Sequence, residues 1–349
     1  MRYHIVLFFI IISAFYSQAQ VGGTHTFAFL DLPYSARIAA TGGVNASNFK
    51  DGFFSNPALA GPQPSKPLQL TFYNYFSGIR YGAFAYSHPL NEENLYYLNI
   101  GVNSIGYGEF KRTTSEGTDV GTFSAGETVF SLGMTFFLKN FSYGYSIRYL
   151  ESKIAEYSSN ALLADLGIVY KHPVKEFTAG VTWKQIGFQT KTYTGGNKEP
   201  LPDNLQVGIT HKLEHMPMRY SLTAHTLNQW DIVYLDQSRN IILDDKGNPV
   251  IPQKKIEDKI MSHITVGTEL LVGKNLVLRA GYSHQRRQEF RLDEKTGGAG
   301  FSWGLGICIK GFTLDYARAT YLTGATINFF TLTMDLNSFI KTQLVKTDE

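Results

Sequence analysis

Two stretches have the spacing of catalytic motifs. Gly300-Phe301-Ser302-Trp303-Gly304 matches G-x-S-x-G, in which a strand-to-helix turn lifts a serine nucleophile into reach. His211-Lys212-Leu213-Glu214-His215 matches H-x-x-E-H, which on a helix sets two imidazoles and a carboxylate around zinc. Neither sits on the element its chemistry requires. Ser302 lies inside an alternating run, with Phe301, Trp303, Leu305, Ile307 and Ile309 on one face and Ser302, Gly304, Gly306 and Cys308 on the other, and no helix follows. Pro217 comes two residues after His215, so that stretch closes a strand at a turn. His225 and His263 fall on the inward face of their strands and read as hydrogen-bonded structural groups. Asp244-Asp245 ahead of Gly247-Asn248 is a turn signal without the spaced oxygen ligands of a calcium loop. The expectation is a non-enzyme with no metal and no cofactor.

The elements that would carry these residues are strands. Fourteen segments of alternating hydrophobicity run over 68–76, 80–90, 94–106, 126–138, 140–153, 160–171, 176–187, 203–213, 217–228, 260–272, 275–286, 299–310, 311–320 and 326–336. Most reach the roughly 9–11 residues that a tilted strand needs to cross a bilayer. In the fifth, Phe141, Tyr143, Tyr145, Ile147 and Tyr149 oppose Ser142, Gly144, Ser146 and Arg148. Connections after even-numbered segments are tight, as at Lys139-Asn140, Gly273-Lys274 and Lys310-Gly311. Those after odd-numbered segments are mostly long, including 107–125, 188–202, 229–259 and 287–298. Short periplasmic turns and long outer loops are the asymmetry of outer-membrane barrels, so the fold class is all-β, a fourteen-stranded antiparallel transmembrane barrel over 68–336.

Composition agrees. Hydrophobic residues make up 43% of the 349 and aromatics 14%, with 25 Phe and 21 Tyr to furnish interfacial girdles. Mean hydropathy of −0.14 excludes a polytopic helical protein. A net charge of +3 implies no nucleic-acid partner. Residues 1–19 read as an export signal: Arg2, an apolar stretch from Ile5 to Ile12, and small residues before a cleavage between Ala19 and Gln20. The single cysteine, Cys308, cannot form an internal disulfide and reads as a packed or lumenal thiol. Residues 20–67 differ in kind, with a short helical pattern over Ser35 to Ala40 ended by Gly42-Gly43, then a proline-rich stretch. They either sit in the barrel mouth as a plug or simply lead into the first strand; the plug is favoured, because inward ionisable groups such as Arg148, Asp165, Lys184, Glu269, Arg279 and Asp315 need partners. Residues 337–349 form a C-terminal tail.

Specific blocks carry a resemblance. VGGTHTFAFLDLPYSARIAATGGVNAS (21–47), IGYGEFKR (105–112), LRAGYSHQRRQEF (278–290) and AGFSWGLGICIKGFTLDYA (299–317) resemble the PorQ family of type IX secretion outer-membrane proteins. A wider resemblance, to FadL-like barrels, is carried by Ser55-Asn56-Pro57-Ala58 in the hatch region. It implies fourteen strands with an internal hatch. The chain departs from the barrel pattern where NSFIKTQLVKTDE replaces a terminal aromatic, and the loop 229–259 is individual to it. The narrower resemblance implies an outer-membrane anchor for the surface protein PorZ. The sortase PorU and the barrel PorV would share its attachment complex, which processes cargo and links it to lipopolysaccharide. Candidate contacts with a surface partner are Trp230, Tyr234, Arg286, Arg287 and Arg291, and the arginines could also meet lipopolysaccharide phosphates. The wider resemblance implies the alternative, a FadL-like transporter of hydrophobic small molecules.

Overall fold

A computed structural model describes residues 25–61, 66–91, 93, 95–233, 242–243, 249–250, 255–290, 297–322 and 325–338. Fourteen antiparallel strands close into one barrel. They are β1 (Pro67–Asn74), β2 (Arg80–Pro89), β3 (Tyr96–Thr113), β4 (Asp119–Leu138), β5 (Phe141–Ile154), β6 (Tyr157–Lys171) and β7 (Phe177–Lys191). The circuit continues through β8 (Asn204–Lys212), β9 (Met218–Ala224), β10 (Ile264–Val272), β11 (Leu276–Ser283), β12 (Phe301–Ile309), β13 (Phe312–Leu322) and β14 (Ala325–Asp335). Neighbours in sequence pair throughout, and β14 returns to β1 with Thr331 opposite Thr71. Closure leaves no unpaired strand edge, which the hydrocarbon of a membrane would penalise.

The alternation sorts side chains as the sequence implies. In β5 the aromatic set Phe141, Tyr143, Tyr145 and Tyr149 is exposed on the outside, while Ser142, Ser146 and Arg148 are buried inside. The tight turns lie on one rim, here the inner rim, where both ends of the barrel wall also meet: Leu336 N–H donates to Lys66 O at 3.1 Å. Lys310 and Gly311 both have positive φ, 44° and 86°, the backbone twist that matches a two-residue hairpin to its strands.

The outer rim differs from the expected loop pattern. Residues 107–125 are not a loop, because β3 and β4 run on through them to a turn at 114–118, with 18 and 20 residues respectively. β5 and β6 join through Ala155-Glu156 alone. Strands β3 to β7 therefore stand taller than the rest of the wall; β9 has 7 residues and β11 has 8. Above the membrane both strand faces meet water, so the apolar alternation that marks a strand fades although the hydrogen-bond ladder continues. Long outer connections remain at 192–203, 225–263 and 284–300. β9 ends at Ala224 rather than 228, and 260–263 is not strand. Helix α2 (Ile256–Ser262) precedes β10, and helix α3 (His284–Glu289) follows β11, replacing the strand expected to 286. Ile256 and Ile260, four apart with acidic residues between them, already had helical spacing. A short pairing of Ile242–Leu243 with Pro249–Val250 lies inside the 229–259 loop. The signal segment with Ala19 and Gln20, and the tail beyond Ser338, lie outside the described residues.

Residues 25–61 fill the lumen. Helix α1 (Ala36–Ala40) is N-capped by Ser35, whose Oγ accepts from Ile38 N–H, and ends where Gly43 N–H returns to Ile38 O at 2.8 Å. Gly42 and Gly43 take φ of 105° and 104°, a conformation closed to most side chains. The apolar core is the seam between this hatch and the wall, where Leu30, Ile38, Leu59, Tyr81, Leu150 and Phe329 are fully buried.

Candidate functional site

The lumen is built around a girdle of inward-facing glycines. Gly144 lies opposite Gly167, Gly180 opposite Gly208, and Gly267 opposite Gly281. The hatch backbone sits on these positions: Pro57 against Gly144, Ala46 against Gly180, and Ala40 to Gly42 against Gly281. A Cβ at any of them would occupy space the hatch already fills. Glycine and serine here serve close approach, where the sequence pattern suggested only a polar interior.

Asn56 of the Ser55-Asn56-Pro57-Ala58 element joins two parts of the hatch to the wall. Its Nδ2 donates to Ala46 O at 2.9 Å and to Val181 O at 3.2 Å, and its Oδ1 accepts from Ala58 N–H at 2.9 Å. The following carbonyls are held by the wall, Thr135 Oγ1 donating to Pro57 O at 2.6 Å and Ser142 Oγ to Ala58 O at 2.7 Å.

A buried charge network locks α1. Arg37 donates to Asp51 at 2.7 Å and to Glu269 at 2.6 Å. Glu269 also accepts from Arg219 and Arg279, both at 2.9 Å, and Arg279 reaches Asp315 at 2.6 Å. Three guanidiniums and three carboxylates balance, which makes burial of the set tolerable. Glu269, Arg279 and Asp315 were expected to face the lumen; Arg37, Asp51 and Arg219 were not singled out. The only sequence signal for Arg37 is a lone charge in the apolar helix Ala36–Ala40. A second group joins β5, β6 and β7 to the hatch: Asp165 accepts from Ser146 at 2.9 Å and pairs with Arg148 at 3.4 Å, while Lys184 Nζ sits 4.5 Å from the Tyr34 ring centre.

The candidate partner contacts separate. Arg286 is buried, donates to Gly42 O at 2.5 Å and stacks over Tyr321, so it holds the hatch and is turned away from any surface partner. Trp230 is 62% exposed on the outer rim beside His263. Arg287 is half-buried beside Gly300, and Tyr234 and Arg291 lie outside the described residues, as does Asp244-Asp245. Ser302 is buried and donates to Ala40 O at 3.2 Å, the work of a hatch clamp. His211 lies in β8 while Glu214 and His215 lie in the turn after it, so the H-x-x-E-H stretch forms no helical ligand face. Cys308 is half-buried near the inner rim and accepts from Thr313 at 3.4 Å.

His225 and His263 close the outer ends of β9 and β10, His263 Nδ1 meeting His225 O at 2.8 Å.

No family model matches the chain, and no curated protein matches it in sequence. Among solved structures it is similar to the TodX monoaromatic hydrocarbon channel, in a deltaS2 mutant form, at 14% identity and a TM-score of 0.50, covering 86% of this chain and 96% of that one. A Pseudomonas aeruginosa FadL homologue is similar over 87% of this chain and 98% of its own, at 12% identity and a TM-score of 0.48. The chain shares the fold of the TodX channel, a closed antiparallel β-barrel. A closed fourteen-stranded wall of this type, apolar outside and plugged inside, belongs in the outer membrane.

Proposed function

We propose that this barrel is a non-catalytic subunit of the type IX secretion attachment complex, holding a surface protein of the PorZ kind at its outer face. PorU and PorV would share the assembly, cargo would be processed and joined to lipopolysaccharide beside it, and an export signal would be removed between Ala19 and Gln20. The observation that carries this reading is the filled lumen. A hatch seated on glycines and held by a balanced ion network leaves the outer face as the working surface. The resemblance of the 21–47, 105–112, 278–290 and 299–317 blocks to the PorQ family supplies the biological setting. The tall β3–β7 side and the 225–263 connection, with Trp230 exposed, are the surfaces a partner would meet.

The second reading is transport of hydrophobic small molecules. It draws on the FadL-like fold and on the aromatic cluster of Tyr75, Phe76, Tyr321 and Phe290 at the outer mouth. Transport would require the hatch to move. A mild-detergent pull-down of the tagged protein separates the two readings. Stoichiometric recovery of a large surface protein with a sortase and a second barrel supports attachment, and recovery of the barrel alone with bound lipid supports transport. On the attachment reading, deleting 229–259 leaves an assembled barrel but lowers co-purified surface protein by about tenfold, equivalent to losing one anchor residue. Unchanged recovery would exclude that loop as the docking element.

A further inference from the structure

The two ends of the hatch lie on opposite rims of the barrel. At its start, Thr26 N–H donates to Pro200 O at 3.1 Å, and the Phe27 ring lies 6.4 Å from that of Tyr193. Pro200 and Tyr193 belong to the 192–203 connection on the outer rim. Phe29 and Leu30 join the same apolar cluster as Phe76 of the β1–β2 connection and Phe290 after α3, also on that rim. Between the two ends, Arg37 reaches Glu269 in the middle of β10, and Ser302 near the outer end of β12 holds Ala40 O. At the far end Ser142, the second residue of β5, holds Ala58 O, and Leu59 packs on Val169 near the end of β6, both beside inner-rim turns. The chain then passes to Lys66 and β1 on that inner rim.

We infer that the hatch is a through-lumen connector whose first turn, Ala28–Asp31, forms the centre of the cell-surface face, with His25 to Phe27 ahead of it on the outer side. Ala28 and Asp31 are exposed there, and the Asp31 side chain keeps 40% of its surface while pairing with His25 at 3.3 Å. Lys50, on the same hatch, is exposed toward the opposite rim, close to Cys308. Phe27, Phe29 and Leu30 are almost fully buried, so the wall closes around this end of the hatch. A surface protein sitting over the mouth would touch hatch as well as loops.

Single cysteines test sidedness directly, and independently of whether a surface partner is retained. In a Cys308→Ser background, Ala28→Cys, Asp31→Cys and Lys50→Cys are expressed in the outer membrane of a host without the secretion system. Heat-modifiable migration confirms that each barrel is folded. Ala28→Cys leaves the His25–Asp31 pair intact and covers the case in which Asp31→Cys fails to assemble. With a membrane-impermeant maleimide-polyethylene glycol, Ala28→Cys and Asp31→Cys should shift in intact cells, and Lys50→Cys only after the outer membrane is permeabilised. Labelling of positions 28 and 31 only after permeabilisation, or only after denaturation in SDS, overturns the inference.

Discussion

Glu269→Gln is expected to unlock the hatch and turn a silent barrel into a conducting one. The Glu269 side chain, 3% exposed, takes hydrogen bonds from Arg37, Arg219 and Arg279. Gln keeps its shape but removes the charge that neutralises the centre of the network. Breaking a buried ion set by removing one partner costs about 3–5 kcal/mol, because the remaining charges stay desolvated. Arg37 is the one guanidinium of the three on a movable element, so the strain is relieved by withdrawing α1 from the wall. In planar bilayers the parent protein should show no steady conductance and Glu269→Gln frequent openings, with Glu269→Asp intermediate. Closed bilayers with Glu269→Gln would mean that packing alone holds the hatch.

Gly281→Val attacks the same seat by volume rather than charge. A Cβ at this position meets the backbone of Ala40, Thr41 and Gly42, which cannot rotate away as a side chain could. Overpacking of this kind costs about 1–3 kcal/mol or more, and here it pushes α1 off β11. Gly82→Val is the matched control, since a Cβ there meets nothing within 4 Å and valine suits a lipid-facing strand position. The temperature at which the folded band on an SDS gel converts to the unfolded band should drop for Gly281→Val and hold for Gly82→Val. Equal midpoints would show that the glycine girdle is no seat.

Both predictions rest on features that chain order hides. Arg37 and Glu269 stand 232 residues apart, and nothing near either one names the other. The inward glycines look like any small residue in an alternating strand until a second backbone is laid against them. Arg286 reads as the first charge of a surface loop, yet α3 turns it inward to Gly42. The tall hairpin of β3 and β4 was missed for a related reason: beyond the membrane neither face is apolar, so period-two hydrophobicity no longer marks the strand.

Near neighbours along the chain set the local features. Alternation within each strand, the tight turns at Lys139-Asn140 and Lys310-Gly311, and the capped stretch from Ser35 to Gly43 are local, and they were enough to count fourteen strands and a separate hatch. How the lumen is filled, and which residues hold it shut, follow from closure of the ring. Closing the wall brings inward groups from β5, β9, β10, β11 and β13 onto one enclosed segment, and in that space charge balance and backbone clearance, both properties of the closed ring, select the partners.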